Sequence, residues 1–258
     1  MQYEGLKYAV ECNRRRALHC SGTFPWQFNE PYPNLYCTSS LDYFGNPKPA
    51  YYGVKKAYAP YLVNASFEGA SLQGKEWLEA DIYGATNLPA QKENRTYTVL
   101  ARIYALSGEI LQEEAFPLEK LQIRASHAGK IRFSLKNTEE ELLLLRLALK
   151  EEGTEEILAE NEYLFTTGRD LGAVFRMEAP ELTAEGQEEG FVLKNSGRSA
   201  ALFVFLTKEK GTPVYWKDNY FTLLPGEVKK LTGEGDWKAS FVQALNMEYQ
   251  KLEVTQCR

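Results

Sequence analysis

The 258-residue sequence has room for two or three domains. Its hydrophobic share of 44% and charged share of 25% are those of an ordinary globular protein, and 16 Tyr, 13 Phe and 4 Trp make it rich in rings. A formal net charge of -5 argues against a nucleic-acid partner, which needs a Lys/Arg-rich face.

The longest aliphatic run, Leu142 to Leu145, is far below the roughly 20 apolar residues that a membrane helix requires. Met1-Gln2-Tyr3-Glu4 shows no basic region followed by an apolar one, so no secretory signal is expected. Cys12, Cys20, Cys37 and Cys257 are too few and too scattered for a disulfide framework. They read as free thiols of a reducing, cytoplasmic compartment.

Residues 1–60 read as helix, strand, loop and helix. Leu6, Ala9, Val10 and Ala17 follow helical spacing up to Arg14-Arg15-Arg16, the one dense basic cluster, which reads as a solvated helix end. Gly22 to Phe28 is a short apolar run bounded by turn formers, predicted to be a buried strand. A loop rich in Pro, Tyr and Asn runs from Asn29 to Asn46. Pro47 and Pro49 then open a second helix, with Ala50, Val54, Ala57 and Tyr58 as its apolar face and Pro60 as its stop. This order matches the last turns of an α/β barrel, far short of the roughly 250 residues of a whole one.

After residue 60 the period changes to two. Leu78, Ala80 and Ile82 alternate with Glu79 and Asp81; Tyr97, Val99, Ala101 and Ile103 alternate with Thr98 and Arg102; and Ile131, Phe133 and Leu135 alternate with Arg132 and Ser134. Thr138-Glu139-Glu140-Glu141 before Leu142–Lys150 has the form of a capping box, so propensity favours a helix there. The alternating strands on either side, with the resemblance given below, favour a strand. Gly168-Arg169-Asp170 is the expected linker to a second sandwich. In that sandwich Phe191-Val192-Leu193 and Ala201–Thr207 read as a hairpin around Asn195-Ser196-Gly197. Val214-Tyr215, Tyr220–Leu224 and Val228–Leu231 supply further strands. The domains expected are 1–60, a barrel remnant; 61–168, an immunoglobulin-like β-sandwich; and 171–258, a second one.

His19 and His127 make no convincing metal cluster, and His19, Cys20, Cys12 and Cys37 lack the usual zinc spacing. Phosphate-binding glycine loops and G-x-S-x-G elbows are absent from the sequence. No metal and no cofactor are expected. The informative stretch is Trp26-Gln27-Phe28-Asn29-Glu30-Pro31-Tyr32-Pro33, followed by Ser39-Ser40-Leu41-Asp42-Tyr43-Phe44-Gly45-Asn46-Pro47-Lys48. It offers a Trp, amides, two carboxylates and many rings at a strand end and its loop. Sugars are bound by such sets: a ring packs on the C–H face of the pyranose, and amides and carboxylates fork to hydroxyls. The same rings also suit plain padding of a barrel rim.

This stretch resembles the eighth strand, loop and eighth helix of glycoside hydrolase family 2, in its β-mannosidase and exo-β-glucosaminidase branch. There a Trp-Gln-Leu-Asn-Asp run precedes Trp-Pro, then Ser-Ser-Ile-Asp-Tyr-Tyr-Gly, a Lys and a Tyr-rich helix ending in Ala-Pro. Trp26, Gln27, Asn29, Pro33, Ser39, Ser40, Asp42, Tyr43, Gly45, Lys48, Ala59 and Pro60 fit that pattern. Asn161-Glu162-Tyr163-Leu164-Phe165 resembles the end of the branch's first post-barrel sandwich. Lys194-Asn195-Ser196-Gly197 and Asp218 to Glu227 resemble its last immunoglobulin-like domain. Glu30 departs from the usual Asp, Tyr32 from the usual Trp, and the loop from Pro33 to Ser39 is slightly longer.

The resemblance implies a mainly β fold: two immunoglobulin-like β-sandwiches preceded by the last strand and helices of a (β/α)8 barrel. It implies an exo-β-glycosidase acting on terminal β-glycosides with retention, through two Glu carboxyls roughly 5–5.5 Å apart. The family's acid/base and nucleophile positions fall outside the matched stretch, so the chain alone is expected to be inactive. Substrate contacts are expected from Trp26, as floor of the sugar subsite, with Asn29 and Glu30; Glu30 is read as a hydroxyl acceptor or loop anchor, and Asp42 as a structural carboxylate. The partner expected is a β-linked oligosaccharide, with neither nucleic acid nor membrane, and self-association through the incomplete barrel segment. The rivals are a non-catalytic sandwich protein binding glycans or another subunit, and an unusual enzyme pairing Glu30 with Asp42.

Overall fold

The computed structural model describes residues 2–34, 38–89, 95–136, 138–154, 156–208, 214–235, 237, 240–251 and 254–255. Cys37, Cys257 and the middle of the Pro33–Ser39 loop lie outside them; Cys12 and Cys20 are free thiols.

Helix α1 spans Gln2–Arg15 and buries Tyr3, Lys7, Val10 and Glu11, a stripe at helical spacing. Of the apolar face expected from Leu6, Ala9, Val10 and Ala17, Val10 is buried, Leu6 is half-buried, Ala9 is exposed and Ala17 lies beyond the helix. Its true inner face carries two charges, which burial would expel were they not paired. Lys7 Nζ donates to Asn161 Oδ1 at 3.1 Å and to the Glu162 carbonyl at 2.7 Å, while Glu11 accepts from Asn161 Nδ2 and from the Tyr163 hydroxyl, both at 2.7 Å. The arginines at the helix end are not all solvated, as their charge had suggested. Arg14 Nη1 donates to the Ala57 and Ala59 carbonyls, at the C-terminal end of the second helix, at 2.8 and 2.7 Å. Such an end leaves carbonyls without intrahelical donors, and a cation there is favourable. Arg15 Nη1 donates to Asn64 Oδ1 at 2.6 Å.

Helix α2, Pro49–Ala57, starts on proline as expected and buries Ala50, Tyr52, Gly53 and Ala57. It lies against α1 so closely that a Cβ on Gly53 would meet the Tyr3 carbonyl at 2.9 Å. Gly22–Phe28 forms no strand in this structure. A strand exists only through ladder bonds to neighbouring strands, and among the described residues no strand pairs with it.

The first sandwich pairs two antiparallel sheets. One contains β1 (Tyr61–Ser66), β2 (Trp77–Thr86) and β5 (Ser126–Ser134) in the order β1-β2-β5. The other contains β3 (Tyr97–Ala105), β4 (Ile110–Leu118), β6 (Leu142–Glu151) and β7 (Ile157–Thr166) in the order β4-β3-β6-β7. Their inward residues, among them Leu78, Ile82, Val99, Ile103, Leu143, Leu145 and Phe165, form one core. The segment that propensity makes helical is strand β6. Leu142 and Leu144 face away from that core yet are buried too, against Ala173, Val174, Ala200, Leu202 and Leu224. Two-sided burial produces a continuous apolar run that alternation cannot reveal.

A short 3-10 turn, Leu171–Arg176, is capped by Asp170, which accepts from Gly172 N at 2.8 Å, and leads into the second sandwich. One sheet holds β8 (Leu182–Gln187), β9 (Gly190–Asn195), β11 (Tyr215–Trp216), β13 (Val228–Glu234) and β16 (Val254–Thr255), ordered β11-β13-β9-β8-β16. The other holds β10 (Ala201–Lys208), β12 (Phe221–Leu223), β14 (Ser240–Ala244) and β15 (Met247–Lys251), ordered β12-β10-β14-β15. The hairpin expected between β9 and β10 does not form: the two strands belong to opposite sheets. Asn195 shapes the crossing, donating through Nδ2 to the Ser199 and Leu223 carbonyls at 2.8 and 2.9 Å and accepting from Gly197 N at 3.1 Å.

Candidate functional site in the loop before helix α2

The loop from Gly22 to Lys48 lies over α2 and is held by backbone bonds rather than by a sheet. Thr38 Oγ1 donates to the Trp26 carbonyl at 3.1 Å, Ser40 N to the Gln27 carbonyl at 2.9 Å, and Leu41 N to the Phe28 carbonyl at 2.8 Å. Lys48 N returns to the Ser40 carbonyl at 2.9 Å, closing the loop at the foot of α2. The Trp26–Gln27 peptide is cis.

These two stitched strings direct their side chains oppositely. Glu30 is 4% exposed and turns inward. Its Oε1 accepts from Ser39 Oγ at 3.0 Å and from Lys48 Nζ, and its Oε2 accepts from Tyr43 N at 3.2 Å. The hydrogen bond from Lys48 chiefly holds the Glu30 carboxyl below the usual carboxylate range; shallow burial under its own loop opposes this, and Ser39 and Tyr43 N assist it. Of the two roles expected for Glu30, the geometry is that of the loop anchor. Asp42 is likewise occupied, accepting from Asn46 N and Asn46 Nδ2, both at 2.8 Å.

Outward, the loop presents rings. Trp26 is 81% exposed, Phe24 92% and Phe28 66%, and Asn29 is exposed beside them. Trp26 is thus not a core residue in this structure. Of the three residues expected to touch substrate, Trp26 and Asn29 are free to do so, and Glu30 is bonded within the loop. Sequence reading placed Ser39 and Lys48 in the motif without a role; the structure makes them the partners of Glu30. That pairing spans 18 residues across a loop, where no periodicity signals a contact. Among the described residues, no group of three or more His, Cys, Asp or Glu side chains is placed to hold a metal ion.

Residues 177–249 match the Ig-fold domain of mannosidases. An exo-β-D-glucosaminidase of Arthroderma benhamiae is 23% identical over 88% of this chain, and one of Streptomyces avermitilis is 26% identical over 90%. These matches support the C-terminal portion of glycoside hydrolase family 2, in its β-mannosidase and exo-β-glucosaminidase branch. The crystal structure of the Amycolatopsis orientalis exo-chitosanase has the same fold over 98% of this chain, with a TM-score of 0.72 at 20% identity. The chain spans 28% of the length of each of the two glucosaminidases and 34% of the exo-chitosanase.

Proposed function

We propose that this chain is the C-terminal part of a retaining exo-β-glycosidase that removes terminal sugars from β-linked glycans, and that by itself it does not catalyse hydrolysis. The relatives' names, exo-β-D-glucosaminidase and exo-chitosanase, support a terminal β-glycoside as the substrate class. The observation that carries the reading is the loop before α2, which offers Trp26 as an exposed ring platform and locks its carboxylates away. Retaining hydrolysis needs one carboxyl to protonate the leaving oxygen and another to attack the anomeric carbon. Glu30 and Asp42 are engaged by Lys48, Ser39, Tyr43 N and Asn46, which removes both from that work. In this reading the two sandwiches brace the barrel end, and Phe24, Trp26 and Phe28 meet substrate or barrel residues in the intact enzyme. In the isolated chain the same rings favour self-association.

The test is direct. The purified chain should show no hydrolysis of aryl β-mannosides, β-glucosaminides or β-galactosides above background. Robust turnover that vanished on Glu30→Gln would overturn the assignment and make Glu30 a catalytic group.

A further inference from the structure

Where α1, α2 and the two sandwiches meet, a cavity of about 610 Å³ opens. Its rim gathers four lysines from three separate elements: Lys55 and Lys56 from α2, Lys217 just after β11, and Lys229 from β13. One carboxylate stands among them. Asp218 is shared by Lys229 at 2.8 Å and Lys56 at 3.4 Å. Lys55 Nζ donates to the Lys217 carbonyl at 2.6 Å, which brings its charge to the same rim without a carboxylate partner among the described residues. The exposed Lys217 ammonium has no carboxylate partner among the described residues.

Elsewhere in the lining Arg146 meets two carboxylates, Glu162 and Glu227, while Arg102 meets Glu113 and Lys7 meets Glu4. Glu160 is an exposed carboxylate on the β7 wall. At the rim itself four lysines meet the one carboxylate of Asp218, in a protein whose net charge is -5. Rings floor the rim, with Lys229 lying 4.8 Å from the Phe221 centroid and Lys55 6.0 Å from that of Tyr52. Four ammonium groups around one carboxylate repel each other unless a further anion sits among them. An oxyanion with several acceptors can take a charge-assisted hydrogen bond from each lysine at once.

We propose that this rim binds a multiply charged oxyanion group, of the phosphate or sulfate ester class, at the junction of the helices and both sandwiches. The site is independent of the glycosidase reading, because none of Trp26, Asn29 and Glu30 lines it. Anion binding there would tie α2 to β13 and tighten the junction on which the loop before α2 rests.

Isothermal titration of the chain with sodium pyrophosphate, at an ionic strength held constant with sodium chloride, tests the site. Saturable one-to-one binding is expected, weakened at least tenfold in Lys55→Ala/Lys217→Ala. Inorganic phosphate and glucose 6-phosphate, with glucose as the uncharged control, separate the sources. Equal affinity for the two phosphates assigns the site to the anion itself, and tighter binding of glucose 6-phosphate assigns it to a sugar-borne ester. Absent or non-saturable binding, or unchanged affinity in a double variant whose circular dichroism matches the parent, overturns the proposal. Should the double variant fail to fold, the exposed-site change Lys217→Glu decides by the same criterion.

Discussion

Arg146 of β6 reaches out of the first sandwich to Glu227 in the turn before β13 of the second, Nη1 to Oε1 at 2.5 Å. The same guanidinium holds Glu162 through Nε at 3.2 Å and donates from Nη2 to the Thr222 carbonyl at 2.8 Å. Glu162 completes the strap by accepting from Thr222 N at 2.9 Å. Burial works against the charged form of Arg146, but Glu162 and Glu227 outweigh it and raise its pKa further. One cation thus joins β6, β7, β12 and the β12–β13 turn.

Replacing Arg146 by Met would take from Glu162 and Glu227 the guanidinium they share. Breaking one side of a partly buried network is expected to cost about 3 kcal/mol. Urea unfolding monitored separately by Tyr and Trp signals should show a lower midpoint and a loss of coincidence, as the sandwiches come apart before each unfolds. A variant with an unchanged midpoint would show that apolar packing around Leu144 and Leu202 alone holds the junction.

The strap also has a pH signature. Burial raises the Glu162 carboxyl, but Arg146 and Lys56, with the Thr222 amide, bring it below its ordinary 4.5. A depressed folded pKa means that the stabilisation is complete above about pH 4.5 and is lost as pH falls through the folded value. Glu11 runs the other way: burial raises it despite Lys7, Asn161 and Tyr163, so its ionised form weakens the fold at neutral pH and its protonation relieves that. Glu162→Gln should therefore lie below the parent in unfolding free energy at about pH 6, with the gap closing as the pH falls below about 4.5. A constant gap across that range would mean that Glu162 acts through shape and not charge.

Two glycines give opposite expectations. Gly190 opens β9 at φ 154°, and a Cβ there would meet the Leu231 carbonyl at 2.0 Å. Gly190→Ala should destabilise by more than about 1 kcal/mol, since neither the backbone nor the space accepts a side chain. Gly5, inside α1, has nothing within 4 Å of its would-be Cβ, so Gly5→Ala should stabilise by about 0.5–1 kcal/mol. Thermal midpoints of the two variants moving in the same direction would contradict this account.

What the sequence made legible follows from how many faces of an element are covered. Leu78, Ala80 and Ile82 announce β2 because the residues between them stay more open to solvent. β1 and β6 carry no such signal. Arg15 and Tyr8 of α1 lie over β1, and the Ala173–Leu202 cluster lies over the back of β6. The apolar face of α1 was misplaced for a related reason: Lys7 and Glu11 enter the interior only because Asn161 and Tyr163, some 150 residues on, receive them. The motif around Trp26 stood out through resemblance, whereas the Glu30–Lys48 pairing is a contact across a loop that no local pattern encodes.

Glu30 and Trp26 sit four residues apart and should fail differently. Glu30→Ala removes the acceptor of Ser39, Tyr43 N and Lys48. The loop should then be cut by protease at rates well above the parent, with both sandwiches intact. Unchanged cleavage would mean that the backbone bonds from Ser40 and Leu41 alone fix the loop.

Trp26→Ala removes a ring that is 81% exposed, so the unfolding free energy of the chain should shift by no more than about 0.5 kcal/mol. A core Trp would instead cost about 3–5 kcal/mol on truncation. If the ring is the floor of the sugar subsite, its worth appears only when substrate is bound. A flat aromatic face contacts the C–H face of a pyranose without charge, so its loss weakens binding of the sugar in ground and transition states. In a full-length enzyme carrying this segment, Trp26→Ala should therefore lower kcat/KM for a terminal β-glycoside, with the unfolding midpoint nearly unmoved. Trp26→Phe, which keeps a smaller ring, should recover part of the loss. A large drop in stability with normal residual kinetics would make Trp26 a packing residue in the intact enzyme and remove it from the substrate site.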